Sequence, residues 1–477
     1  MTVDITPANL GGSLAASLWK DAGGDPAELA SLHFTAQANQ LPSTFAVGAL
    51  ASATVGVQAL AAAHLWRARG GATQTVTVDQ RHALALFRSE RAVQLEGGAL
   101  PDPWSPLAGF YEAGDGRWIQ LHTNFAHHRD GVLRVLQCAD SREAVSQAIR
   151  DWRAAELDER LAADGLCAAL VRSPGEWQAT EQAQAIASLP LFEIERLTDA
   201  PPPPLIDQPP RPLSGVRVLD LSRIIAAPVA GRTLAQHGAD VLAVSAAHLP
   251  NLPALVIDTG RGKRATQLDL RDKDQRDILC ALIREADIFL HAYRPGALAA
   301  LGFSTPELQA LRPGLIEVSL SAYGHTGPWA QRRGFDSLVQ SSSGIAWESA
   351  EAAGVAQPGP PGKLPCQALD HASGYLAAFG AMAALARRDD QGGGWRVRVS
   401  LAQTGRLLQS LPRVANGLSH PDIDRAELAR YLETTPSAAG VVTAVRPAET
   451  MSATPPCFAL PPAALDAHPP SWDFSPQ

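Results

Sequence analysis

The chain has 477 residues, 46% hydrophobic and 18% charged, with 40 Lys and Arg against 48 Asp and Glu for a formal charge of −8. Such a composition excludes a disordered chain, and the length allows about three domains at roughly 150 residues each. The acidic balance argues against nucleic acid held by bulk charge.

The first 20 residues lack the basic n-region of a secretory signal. Residues 41–66 carry no Asp, Glu, Lys or Arg, but are mostly Ala, Gly, Ser and Thr with Gln58 inside. That is weakly apolar for a membrane span, so a buried helix is expected and no membrane partner. Residues 58–80 (QALAAAHLWRARGGATQTVTVDQ) match residues 380–403 (GAMAALARRDDQGGGWRVRVSLAQ) in pattern. Each is an Ala-rich helix ending in arginines, a Gly-rich turn, then a period-2 strand. Two such units so far apart indicate duplication of a larger unit and not a solenoid. Between them, a strand at 117–122 and helical spacing over 128–165 predict a small α/β subdomain. Residues 190–212 are proline-dense and predict a stiff, extended linker.

After the linker the pattern becomes regular. Strands are predicted at 216–221, 239–244, 266–270, 286–292 and 315–324, with helices at 228–237, 273–285 and 306–311. The fold class is therefore α/β, a Rossmann-like doubly wound parallel sheet plus the small α/β subdomain. Ligands in such sheets bind beyond the carboxyl ends of the strands.

No GxGxxG, Walker A, HExxH or GxSxG motif is present. The five cysteines, Cys138, Cys167, Cys280, Cys366 and Cys457, are odd in number, scattered and never in a CxxC pair. A disulfide framework and a metal site are both unexpected, and a cytoplasmic location is the expectation. Arg261, Lys263 and Arg264, with Arg271 and Arg294 at other strand ends, suggest a phosphate-binding surface. Asp370, just before an Ala-rich helix, is the acid to single out. It is either a helix N-cap or a catalytic carboxylate. The first repeat unit offers no counterpart, since no Asp or Glu lies between Leu29 and Val78.

Five blocks now matter together. They are 213–245 (LSGVRVLDLSRIIAAPVAGRTLAQHGADVLAVS), 260–272 (GRGKRATQLDLRD), 292–328, 332–344 (RRGFDSLVQSSSG) and the D-x-x-x-G segment beginning at Asp370. In that order they resemble family III CoA transferases (the CaiB/BaiF family). Residues 44–212 resemble the family's central helix, strand, small domain and C-terminal stretch, while 213–410 resemble its N-terminal half and 440–470 a second C-terminal stretch. The resemblance implies a rearranged architecture of two incomplete copies fused in one chain. Its parts are an incomplete N-terminal copy (1–189, with the small subdomain at about 100–189), the linker (190–212), a Rossmann-like CoA-transferase domain bearing Asp370 (213–410) and a C-terminal tail (411–477). A homodimer is a further expectation, because family members are typically interlocked dimers.

The resemblance also implies an activity: transfer of coenzyme A from an acyl-CoA to a carboxylic acid, with both as small-molecule partners and no metal. Asp370 would be the nucleophile, forming first an acyl anhydride and then an aspartyl-CoA thioester. Its reference pKa near ~3.9 and the helix N-terminus would keep it ionised. CoA contacts carried over by position are Ile225, Ala226, Leu268, Arg271, Tyr293, Arg294 and Arg333. Ala292 and Ala300 stand where some members have Asn and Arg, and the stretch after Val244 lacks the family's usual charged, Gly-rich run. Backbone N–H groups around 323–327 are candidate oxyanion donors. Two other functions stay open. One is a non-catalytic CoA-binding protein. The other is a 2-methylacyl-CoA racemase, whose G-H-D motif reads Gly334-Phe335-Asp336 here and so lacks the histidine base. His325, nearby, is expected to be solvent-exposed or capping.

Overall fold

Seven strands make the central sheet: β1 (Phe192–Arg196), β2 (Arg217–Leu221), β3 (Asp240–Ser245), β4 (Arg264–Gln267), β5 (Ile288–His291), β6 (Ile316–Ser321) and β7 (Trp395–Ser400). The structure is a computed structural model and describes residues 9–35, 40–101, 104–204 and 208–473. The strand order is β4-β3-β2-β5-β6-β7-β1. Every pair from β4 to β7 is parallel, and β1 closes the edge antiparallel to β7. Strands covered on both faces are buried along their whole length, and β5 and β6 are buried at every position, including the polar Glu317, Ser319 and Ser321 of β6. The order reverses between β2 and β5. The loops leaving these two strands, 222–225 and 292–294, therefore flank the crevice where such sheets bind ligands.

Three helices matter for the site: α1 (Val47–Ala68), α2 (Ala226–Gln236) and α3 (Ala368–Gln391). Helix α1 packs on α3, which also packs on α2. Among the described helices α1 alone is long and apolar enough to cross a membrane, yet 94% of its apolar window is buried inside the protein. Its one long polar side chain within that window has a use. Gln58 donates to Glu449 and accepts from His237, both at 2.8 Å. Burial raises the Glu449 carboxyl and lowers His237 to about 3, and the three side chains form one buried hydrogen-bonded group.

The two repeat segments hold equivalent places. Strand Val76–Asp79 follows α1 and has a parallel neighbour, Leu32–Thr35, and an antiparallel one, Glu449–Met451. Strand β7 follows α3 and likewise lies between parallel β6 and antiparallel β1. In each case the antiparallel strand comes from elsewhere in the chain. The N-terminal half lends β1 to the central sheet, and the tail lends Glu449–Met451 to the N-terminal half. The expectation of a linker over 190–212 is thus corrected at its start, because the proline-free FEIER segment pairs with β7. Residues 205–207 of that stretch lie outside the described residues. The predicted strand at 266–270 sits two residues earlier, at β4, where Arg264 clasps Asp240 at 2.7 Å.

The small subdomain has a three-stranded antiparallel sheet, Gly109–Glu112, Trp118–Leu121 and Ala168–Leu170. Helices Ala126–Leu136, Arg142–Ile149 and Ala154–Ala163 pack around a separate core that includes Ile119, Val132 and Leu157.

Gly374, the last residue of the D-x-x-x-G segment, sets the distance between α2 and α3. A Cβ there would lie 2.3 Å from the Ala226 carbonyl oxygen and 2.8 Å from Val229 Cβ. Both are parts of a helix that cannot yield without moving. Gly374→Ala is therefore expected to destabilise the protein by about 1–3 kcal/mol, the cost of overpacking a core. Thermal unfolding would show this as a Tm drop of several degrees.

Candidate active site

Asp370 occupies the first turn of α3 and is 6% exposed. The N-cap residue, Gln367, makes no side-chain capping bond. The fully buried Asp336 takes over that task. Its Oδ2 accepts the Asp370 backbone N–H at 2.9 Å, the Leu369 N–H also bonds to the carboxylate, and Gln340 donates to Oδ1. Helix donors left without partners are thereby satisfied. Of the two readings of Asp370, the N-cap role fails, because Asp336 fills it.

Asp370 also stands at the junction of two cavities. One, of about 410 Å³, lies at the crevice between β2 and β5 and is lined by Arg223, Ile225, Ala226, Tyr293, Arg294 and Arg333. Arg223 donates to the Pro250 carbonyl and Arg294 to that of Gln331. Neither these two nor Arg333 has an ion-pair partner among the described residues. Burial pulls the Arg223 and Arg294 guanidinium groups below their ordinary range, and Arg333 adds to the effect at Arg294. Three unneutralised cations around one cavity make a site for an anion of several charges. The second cavity, of about 590 Å³, adjoins the first and shares Asp370, Ile225 and Phe335 with it. It draws its walls from both halves of the chain, including Glu90, Trp104, Phe110, His122 and Phe125 from the first half and Leu255, Phe335 and Leu364 from the second. Ile224 lines both cavities and has φ of +77°. A β-branched residue in that region is strained, and such strain collects at functional sites.

The carboxyl of Asp370 does not behave as its helix position suggests. It is raised well above the ordinary value by burial first, then by the negative charges of Asp336 and Glu90. Asp336 is itself raised to about 6, mainly by burial. A helix N-terminus contributes roughly 0.3–1 kcal/mol to a carboxylate, too little to offset desolvation and two like charges. The expectation of a freely ionised Asp370 is corrected accordingly.

The other predicted residues divide into groups. Ile225, Ala226, Tyr293, Arg294 and Arg333 come together with Asp370 around the first cavity. Leu268 and Arg271 line an adjoining slot of about 110 Å³ that shares Leu221, Leu249 and Tyr293 with it. Arg271 is 65% exposed and clasps Asp269 at 2.6 Å. Arg261, Lys263 and Arg264 are not a phosphate surface. All three are buried, paired respectively with Asp258 at 2.9 Å, Asp220 at 2.7 Å and Asp240 at 2.7 Å. The loop over 323–327 is drawn off by the first half, where Gln182 donates to the carbonyls of Tyr323 and Thr326 and accepts from Trp329 N–H. His325 is half-buried between Ser319 at 3.1 Å and Ser321 at 3.5 Å and is held at about 3, so it is neither exposed nor capping. Sequence reasoning missed Arg223, Glu90 and the capping role of Asp336. Arg223 could have been found, because it follows the first strand of the sheet, where ligands bind.

The family profile for CoA-transferase family III matches residues 213–437. An acyl-CoA transferase of Gibberella moniliformis is 30% identical over 400 residues, covering 75% of this chain and 69% of that protein. The chain belongs to CoA-transferase family III. An acetyl-coenzyme A transferase, nodX, of Hypoxylon pulicicidum is 28% identical over 70% of this chain and 64% of its own length. The probable fatty acyl-CoA transferase Rv3272 of Mycobacterium tuberculosis is 32% identical over 45% of this chain and 58% of its own length. The family III chain thus spans about two thirds or less of the length of these relatives. The crystal structure of Rv3272 matches 44% of this chain and 57% of its own, with a TM-score of 0.38.

The raised carboxyl has a consequence for stability. Below about pH 4 Asp370 is protonated folded and unfolded, so it adds no pH dependence there. As pH rises, the unfolded chain releases that proton freely while the folded site resists, so stability is lost up to the folded pKa. The isosteric neutral variant Asp370→Asn is expected to raise Tm by a few degrees at pH 7–8. The gain should vanish near pH 4, as followed by thermal unfolding across that range.

Proposed function

We propose that this protein is an acyl-CoA:carboxylate CoA transferase whose nucleophile is Asp370. One observation carries the reading. Asp370 is the one carboxylate that lines both a cavity ringed by arginines without ion-pair partners and a larger, ring-lined cavity, an arrangement that suits a thioester of CoA. The adenine end fits the slot between Leu268, Arg271 and Tyr293. The phosphates face Arg223, Arg294 and Arg333, and the thioester reaches Asp370 past Ile225 and Ala226.

The chemistry then follows from the carboxylate. Ionised Asp370 attacks the thioester carbonyl, the C–S bond breaks, and CoA leaves as its thiolate with an acyl-aspartyl anhydride left behind. The thiolate attacks the aspartyl carbonyl, releasing the donor acid and forming aspartyl-CoA thioester. The acceptor carboxylate attacks that carbonyl and expels the thiolate again, giving a second anhydride. Attack of the thiolate on the new acyl carbonyl yields the product thioester and returns Asp370. Holding CoA in its cradle throughout keeps each step effectively intramolecular. No side chain caps α2, and its first-turn N–H groups at Ala226 and Ala227 adjoin the cavity holding Asp370. They replace the 323–327 loop as the donors for the developing oxyanions.

Incubation with an acyl-CoA panel should add the mass of an acyl group or of CoA to the intact protein, and Asp370→Ala should show no addition. Addition to the variant as well, or to neither protein, overturns the assignment. The nucleophile must also be ionised before it attacks. The acid limb of kcat/KM against pH is expected above the ordinary carboxylate range. Glu90→Gln removes a like charge beside Asp370 and keeps a hydrogen-bonding group toward His371. It should move that limb to lower pH, measured as the full pH profile of both proteins.

A further inference from the structure

The larger of the two cavities at Asp370 has a chemistry of its own. Its interior is a wall of rings. His122 stacks on Phe335 with centroids 3.8 Å apart and planes 7° from parallel. Trp104 meets the His122 ring edge-on at 6.1 Å, and Phe125 lies 6.4 Å from Phe335. His122 is buried, and burial holds it at about 4, so near neutral pH it is an uncharged aromatic ring. Phe335 stands where a racemase would place its base, and here it is part of this wall.

Two features set what the cavity accepts. Its volume, about 590 Å³, lies in the range that encloses a drug-sized ligand. A two-carbon or four-carbon acyl group would leave most of it to water. Its charges are also of the wrong sign for a second carboxylate. Asp370 and Glu90 both line it. Of its cations, Arg91 is already paired with Glu90 at 3.3 Å and Lys363 is exposed at the rim. A dicarboxylate would bury its distal charge among rings and near two acids, at a high desolvation cost.

Resting on the transferase reading, we infer that this cavity is an acyl subsite for monocarboxylic acids whose side chain is bulky, uncharged and ring-bearing, selected by Trp104, His122 and Phe335. The partition also constrains the second substrate. CoA keeps its cradle during the exchange, so the donor acid leaves by the space the acceptor enters. Donor and acceptor acyl groups therefore meet the same ring-lined walls in turn. Trp104, 43% exposed at the rim, is the ring an incoming acid meets first.

The test compares 3-phenylpropanoyl-CoA, succinyl-CoA and acetyl-CoA as donors, each with phenylacetate as the acceptor. The expected kcat/KM for the phenyl donor exceeds that for succinyl-CoA by at least about tenfold, within the range that pocket contacts of this size supply. Trp104→Ala and Phe335→Leu should each cut that ratio by about tenfold. Trp104 is a rim residue whose removal leaves the core intact. Binding is measured in parallel by calorimetry with two inert thioethers, S-(3-phenylpropyl)-CoA and S-(3-carboxypropyl)-CoA. Tighter binding of the phenyl thioether, with the preference lost in both variants, supports the subsite even if no donor turns over, in which case the transferase reading fails alone. Succinyl-CoA or acetyl-CoA as the better donor, equal binding of the two thioethers, or an unchanged preference in both variants overturns the subsite.

Discussion

The site depends on how the N-terminus of α3 is satisfied. A helix start buried in protein needs partners for its free N–H groups, and Gln367 supplies none. The carboxylate of Asp336 does so from another helix, bonded to the N–H groups of Leu369 and Asp370. This arrangement has two effects at once. It fixes the backbone of Asp370 at the junction of the two cavities. It also leaves the Asp370 carboxyl free of capping duty, while the negative charge of Asp336 makes that carboxyl reluctant to ionise. Position and reactivity are set by the same contact.

The rest of the architecture keeps α2 and α3 close enough for that contact to matter. Gly374 permits the approach of the Ala226 carbonyl. Buried polar groups then lock α2 and α1 to distant parts of the chain. Asp258 receives Arg232 of α2 at 2.7 Å and Ser89 of the N-terminal half at 2.6 Å. Charge pairing draws Asp258 below the ordinary carboxylate range despite burial. Removing one member of such a group leaves an uncompensated buried charge, typically a loss of 3–5 kcal/mol. The exchange of edge strands works at a larger scale. Each half needs a strand that the other part of the chain supplies, so neither sheet is complete alone. The ring-lined cavity is a product of this interleaving, with Trp104 and His122 supplied by the first half of the chain and Phe335 by the second.

Ionisable side chains sort by whether a partner is already present. Arg261, Lys263 and Arg264 resemble a phosphate cradle in a linear reading, yet each is buried, has a carboxylate partner and serves the fold. Arg223, Arg294 and Arg333 are scattered along the chain and gather without ion-pair partners. The distinction lies in three-dimensional pairing, which a sequence does not display.

Much was legible beforehand. Runs rich in apolar residues between helical segments placed β2, β3 and β5 within two residues and the start of β6 within one, and the alternating valines after α3 marked β7. The absence of charge over 41–66, most of α1, pointed to a buried helix, and the ordered blocks from 213 onward pointed to the family and to Asp370. The edge strand β1 was not legible, since a short segment beside prolines reads as linker until β7 is there to pair with it. The pKa of Asp370 was not legible either. Sequence fixed its helix position, but desolvation and the fields of Asp336 and Glu90 act through space, and those acids lie 34 and 280 positions away in the chain. Local chemistry determined which elements form and which acid starts a helix. Only the tertiary structure decided what surrounds that acid, because burial and charge fall off with distance in space and not with separation along the chain.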